Sequence, residues 1–314
     1  MSRPLSRDFV PDSDDDSRLC PGTLPIPIVG APQRPNPWME RVGRRLLLAL
    51  APRLGACRET APPPDLAPFE PIEVPRSDDP GALRGWFFRA NGLPGYDEPR
   101  GAVLLCHPWL PFGQAYFFRR GRIPALRQAG YHVMTFDLGG FGPEEHLASA
   151  PWGYYDRDVD DALAELARRV DGLPIHLWGV SAGGYWSHLA LSRRAEPIHG
   201  AFFEHVTDHM IEWSKRMAPA GLPCYLFYQH VLRPAYRYLD LNRHAAHLQA
   251  RAVAYVGGDL DRGAPVEALH RMARLAQAAR LVVGDADHLD AIRRQGRQVI
   301  DLALQTFRKA EGVR

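Results

Sequence analysis

From Pro80 onward, short apolar runs alternate with stretches in which apolar positions recur every three or four residues. Residues 83–90 (LRGWFFRA) have strand character, and 102–107 (AVLLCH) form a continuous apolar run. Residues 116–130 (YFFRRGRIPALRQAG) read as a helix ending in Gly130, and 131–137 (YHVMTFD) as another strand. The alternation continues with a helix over 156–170, a strand at 175–179, a helix from Ala182, and strands at 200–204 and 252–258. A helix after Pro265, a strand at 280–285 and a final helix complete it. Strands that are apolar throughout are buried on both faces, and helices between them imply parallel pairing with right-handed crossovers. The pattern predicts an α/β, doubly wound architecture over residues 80–314.

Two regions depart from this rhythm. Residues 1–36 carry the acidic run Asp12, Asp14, Asp15 and Asp16 among scattered prolines, without periodicity, which reads as an extended or disordered tail. Pro37 then opens a stretch in which Trp38, Val42, Leu46 and Leu50 share one helical face. This amphipathic helix has three uses open to it: packing on its own domain, pairing with a second copy as a homodimer, or lying on an anionic membrane surface. A Pro-rich extended connector, residues 61–75, follows it and completes a 37–79 arm. The second departure is an aromatic-rich interval at about 206–248, too long to be a structureless loop and read as a helical insert that caps a pocket.

The composition narrows the function classes. With 38 Lys plus Arg against 36 Asp plus Glu, the net charge of +2 lacks the basic surplus of a dedicated nucleic-acid binder. Four cysteines (Cys20, Cys57, Cys106 and Cys224) show no CxxC spacing, so neither a zinc site nor a disulfide framework is signalled. No apolar run approaches the roughly 20 residues of a membrane span, and the opening residues, lacking a basic stretch followed by an apolar one, are not expected to act as a secretory leader. A cytoplasmic protein is the expectation.

The sharpest chemical signal is Gly179-Val180-Ser181-Ala182-Gly183, placed between a strand and a helix. A turn this tight needs small residues two positions either side of the serine, and it projects Ser181 at the carboxyl edge of a sheet. A serine hydroxyl is a weak nucleophile and needs a histidine base, oriented in turn by a carboxylate. His288, in GDADHLD directly after the 280–285 strand, fits the base. Asp261, in VGGDLDRGAP after the 252–258 strand, fits the acid; Asp259 and Glu204 are the alternatives. An oxyanion would be met by the N–H of Ala182 and by that of Trp109, since Pro108 has none to give. His107 reads as a structural histidine bonding the loop backbone.

The order of these motifs, from the H-P-W loop at 107–109 through DLGGFG at 137–142, GVSAGG, GGDLDRGAP and GDADH, resembles the α/β-hydrolase superfamily over residues 80–314. The resemblance implies an eight-stranded, mostly parallel sheet with a cap, and Ser181, Asp261 and His288 as triad. It departs from the superfamily in carrying His-Pro for His-Gly in the oxyanion loop. Phe112, Tyr185, Trp213 and Tyr228 are expected to line the substrate pocket. His205 and His209, with Glu204 and Asp208 beside them, lack the HExxH pattern or a third ligand, so no metal and no cofactor is called for.

The expected activity is hydrolysis of an ester or thioester of a largely apolar acyl or aryl substrate, a small molecule, through an acyl-enzyme. The competing readings are an acyltransferase or a C–C bond hydrolase using the same residues, and a non-catalytic binding module on the same fold.

Overall fold

The structure is a computed structural model that describes residues 61–77, 81–92, 98–109, 113–139, 141, 155–216 and 238–312. The tail, the helix expected from Pro37 and the middle of the insert, 217–237, lie outside the described residues.

Eight strands form one sheet: β1 (Phe69–Pro75), β2 (Ala82–Phe88), β3 (Gly101–Cys106), β4 (Tyr131–Phe136), β5 (Ile175–Val180), β6 (Ile198–Glu204), β7 (Ala250–Gly258) and β8 (Ala279–Val283). Their order is β1-β2-β4-β3-β5-β6-β7-β8. β2 runs antiparallel to β1 and β4, and all pairs from β4 to β8 are parallel. Among the described residues the strands are accompanied by the α-helices α1 (Arg122–Gln128), α2 (Asp156–Val170), α3 (Ala182–Arg193), α4 (Met210–Arg216), α5 (Val266–Leu275) and α6 (Ala291–Ala310).

The sheet is covered on both faces, which is why its central strands are apolar at every position. All six residues of β3 are buried. Their side chains divide by parity: Leu104 joins Met134, Leu177 and Phe203 under α2, α3 and α5, through Leu163, Leu189 and Met272. Val103 and Leu105 join Val133, Trp178 and Phe202 on the opposite face, under α1 and α6, through Ile123, Val299 and Phe307.

Two sequence expectations need correction. The sheet begins before residue 80, because Phe69–Pro75, read as connector, is β1. Proline cannot donate to an interior ladder but is tolerated on an edge, and β1 is an edge strand that buries Ile72 and Val74 while Pro71, Glu73 and Pro75 face outward. The helix expected over 116–130 is also divided. A 3₁₀ turn covers Gly113–Phe117, and α1 starts only after Gly121, whose φ of 69° interrupts the helix. Among the described residues no helix is long and apolar enough to cross a membrane.

Candidate active site

Ser181 sits in the tight turn between β5 and α3 with φ 50° and ψ −117°, a strained conformation for a residue with a side chain. The neighbouring glycines make the turn possible. A Cβ at Gly183 would collide with the backbone of Cys106, and one at Gly179 with that of Gly184. Ser181 is thereby held at the carboxyl end of β5, where α3 presents the N–H groups of its first turn.

Ser181 Oγ lies 2.9 Å from His288 Nε2, and His288 Nδ1 donates to Asp261 Oδ2 at 2.8 Å. His288 stands in the loop between β8 and α6, Asp261 in the loop between β7 and α5. Three strand ends thus deliver the three side chains. The other Asp261 oxygen, Oδ1, accepts the N–H groups of Gly263 and Ala264 at 2.9 and 2.8 Å. Burial alone would raise the Asp261 carboxyl, but hydrogen bonds from His205 and His288, with the charge of His288, hold it well below the usual carboxylate range. The acid is therefore a fixed anion facing an imidazole N–H, the arrangement that leaves His288 Nε2 free to take a proton from Ser181.

The alternative acids are occupied elsewhere. Asp259 accepts the Ala286 N–H at 3.2 Å, the turn role its position suggests. Glu204 is fully buried and pairs with Arg122 (Nη2 to Oε1, 2.6 Å), while Trp178 Nε1 donates to it at 3.0 Å. Burial raises the Glu204 carboxyl, but the charge and hydrogen bonds of Arg122, with His205 and the Trp178 hydrogen bond, together outweigh this and lower it.

The loop after β3 is fastened at both ends. His107 Nδ1 donates to the Pro108 carbonyl at 2.8 Å, and its Nε2 accepts the Leu138 N–H at 3.0 Å. Burial pushes the His107 imidazole down to about 4, so it stays neutral and keeps this tautomer. At the far end Gln114 donates its backbone N–H and its side-chain amide to the two oxygens of Asp137, both at 2.8 Å. Burial pushes the Asp137 carboxyl up to about 6 against these two bonds.

A cavity of about 220 Å³ opens over Ser181 and His288 and is bordered by Pro108, Trp109 and Ala182. Its further walls are Tyr185, Met210, Trp213 and Leu289, with His205 and Thr207 as the polar members. Of the four expected pocket residues, Tyr185 and Trp213 line it, and Phe112 and Tyr228 lie outside the described residues. Tyr185 also donates its hydroxyl to the Leu239 carbonyl, joining α3 to the end of the insert. Cys106 is buried in β3, and burial pushes its thiol up to about 12, so it is core and not nucleophile.

His205 lines the cavity, but its bond to the acid is what sequence reasoning did not foresee. Its Nδ1 donates to the same Asp261 Oδ2 at 2.8 Å, although 56 positions separate the two residues. His209, expected as its helical partner, lies apart from it in use. Its Nδ1 accepts the Ile211 N–H at 3.2 Å, and α4 begins only at Met210.

A family model described as serine aminopeptidase, S33, matches residues 97–228. No curated protein matches the chain by sequence. Among solved structures, an esterase of Pyrococcus furiosus superposes with a TM-score of 0.61 at 16% identity, covering 80% of this chain and 94% of that one. A puromycin-hydrolysing peptidase of Mycobacterium tuberculosis gives 0.64 at 18% identity over 78% of this chain. The present chain spans only 40% of that peptidase's length. DcsB, solved with a substrate analogue, gives 0.59 at 14% identity, covering 77% of this chain and all of its own. Sheet order, the serine turn between β5 and α3, the family-model match and these superpositions agree, and the chain has the α/β-hydrolase fold.

Proposed function

We propose that the protein is a serine hydrolase that cleaves an ester or thioester of a small, largely apolar acyl or aryl substrate. The observation that carries this reading is the continuous chain of hydrogen bonds Ser181–His288–Asp261 opening onto an apolar cavity. In the proposed mechanism Ser181 Oγ attacks the carbonyl carbon while His288 Nε2 takes the hydroxyl proton, and Asp261 stabilises the imidazolium. The tetrahedral oxyanion is met by the N–H groups of Ala182 and Trp109. His288 then gives its proton to the departing alcohol or thiol, leaving an acyl group on Ser181. Water, deprotonated by His288, repeats the attack and releases the carboxylic acid.

The walls of the cavity favour an uncharged substrate. An aminopeptidase must hold a free ammonium group, and among the described lining residues there is no carboxylate. About 150 Å³ suffices for a benzene ring in an apolar cavity, so about 220 Å³ admits a phenyl or short acyl group. Thr207, Met210 and Trp213, from the first part of the 206–248 insert, border the cavity and support its role as a cap.

A fluorophosphonate probe should label Ser181 in the native protein and fail to label Ser181→Ala. Short-chain and benzoyl p-nitrophenyl esters, with matching thioesters, should be turned over far faster than aminoacyl p-nitroanilides. Preferential anilide cleavage would replace the esterase reading with a peptidase one, and absent labelling would remove the mechanism.

A further inference from the structure

We infer that His205 is a positioning residue of this site: its ring locks the Asp261 carboxylate in place and shares that oxygen's hydrogen-bonding capacity with His288. The inference rests on the triad reading given above. Asp261 Oδ2 receives two imidazole N–H groups, from His205 and His288, each at 2.8 Å. Oδ1 receives two backbone N–H groups. A carboxylate with four donors in four directions has no freedom to rotate about its own axis.

His205 is itself fixed. It is 1% exposed, and its Nε2 accepts the Ala291 N–H at the start of α6 at 3.3 Å. With Nε2 an acceptor, the ring proton must be on Nδ1, the atom that faces Asp261. The backbone of His205 has φ 53°, a left-handed conformation that follows directly on β6 and turns the side chain toward the β7 and β8 loops. Its ring meets that of His288 edge-on, with centroids 5.5 Å apart and planes at 70°. His205 therefore ties the ends of β6, β7 and α6 together around the carboxylate.

The same donor has an electrostatic effect. An oxygen that already satisfies one N–H is a poorer acceptor for a second, so His205 weakens the hold of Asp261 on the His288 imidazolium. Among the described residues, the charged groups recorded against this pair of rings are Asp261, Glu204 with its Arg122 partner, and Asp287, which accepts the His288 backbone N–H at 2.7 Å. None of these substitutes for a lost N–H donor on Asp261. A bare metal-ligand role for His205, Asp261 and His288, whose ligand-type atoms lie within 4.8 Å of one another, competes with the hydrogen bonds that already use them.

The test is the pH dependence of kcat/KM on a p-nitrophenyl ester for wild type, His205→Phe, which keeps the ring volume, and His205→Asn, which suits the left-handed backbone. His205→Phe, which removes the donor, should move the acid limb upward by about half a unit to one unit, because Asp261 then holds the imidazolium more tightly, whereas His205→Asn, whose amide N–H can replace the Nδ1–H, should leave the limb near wild type, both with KM within about twofold of wild type. An unmoved limb in His205→Phe with a raised KM would reduce His205 to a cavity wall and overturn the inference. Nitrogen NMR of imidazole-labelled wild type decides the point even where a variant fails to fold: the His205 ring should carry its proton on Nδ1, and an Nε2–H tautomer would overturn the inference. Failure of the triad reading shows separately, as absent fluorophosphonate labelling of Ser181, and leaves the tautomer measurement interpretable.

Discussion

Pro108 and Trp109 share one peptide group, so fixing the Pro108 carbonyl fixes the Trp109 N–H in the opposite direction. His107 does the fixing, through its Nδ1–H, and the Leu138 N–H holds the ring from behind. This gives His107 a measurable consequence under the proposed mechanism. His107→Leu should lower kcat by about 10- to 100-fold, the scale of a misaligned oxyanion donor, with a smaller change in KM. Affinity for a trifluoromethyl ketone, which depends on that donor, should fall in parallel, and unchanged ketone affinity would separate His107 from the oxyanion. At this scale the sequence was readable wherever chemistry is tied to a strand end: Ser181, Asp261 and His288 each follow an apolar run, and the structure brings them within hydrogen-bonding distance. His205 carried the same signal, directly after Glu204 at the end of β6, but its meaning depends on a partner 56 residues away that no local pattern specifies.

Among elements, the buried strands were legible because burial on both faces demands apolar residues at every position, as in β3. β1 was not, since a proline-containing run is ordinarily no central strand, and only its place at the sheet edge reconciles Pro71 with pairing to Trp86. The junction of α1 with β6 escaped sequence reading as well. Arg122 and Glu204, both fully buried, pair across it, with the guanidinium 5.2 Å from the Tyr116 ring and 5.3 Å from that of Trp178. Two charges withdrawn from water hold each other's desolvation in check, and removing one strands the other. Arg122→Met alone should therefore destabilise the fold by about 3–5 kcal/mol in urea unfolding. Adding Glu204→Gln to it should recover part of that loss, and a double variant no more stable than the single one would show that the pair is not what Arg122 serves.

For the molecule as a whole, the burial that builds the two-faced core also sets how it responds to acid. Burial pushes the His107 imidazole down to about 4 and that of His188 to about 3, and it lowers His132, His176, His199, His209, His244 and His270 too. A histidine kept neutral in the fold but free to protonate in the unfolded chain contributes stability above its unfolded value near 6.5, and that contribution is lost as pH falls toward the folded value. For His107 the span from 6.5 to about 4 corresponds to about 3 kcal/mol, with a comparable loss for His188 by the same pH. Asp137 acts in the opposite sense: pushed up to about 6, it takes a proton in the fold first and gains stability as pH falls from there toward its unfolded value. Asp137 and Asp160, the two described carboxyls raised in this sense, do not offset eight histidines that burial lowers. The urea midpoint should accordingly fall steadily from pH 7 to pH 4.5, by the equivalent of several kcal/mol. His188→Leu should flatten that slope whatever it does to stability at neutral pH, and a midpoint that held constant or rose on acidification would mean that these imidazoles meet water in the folded protein.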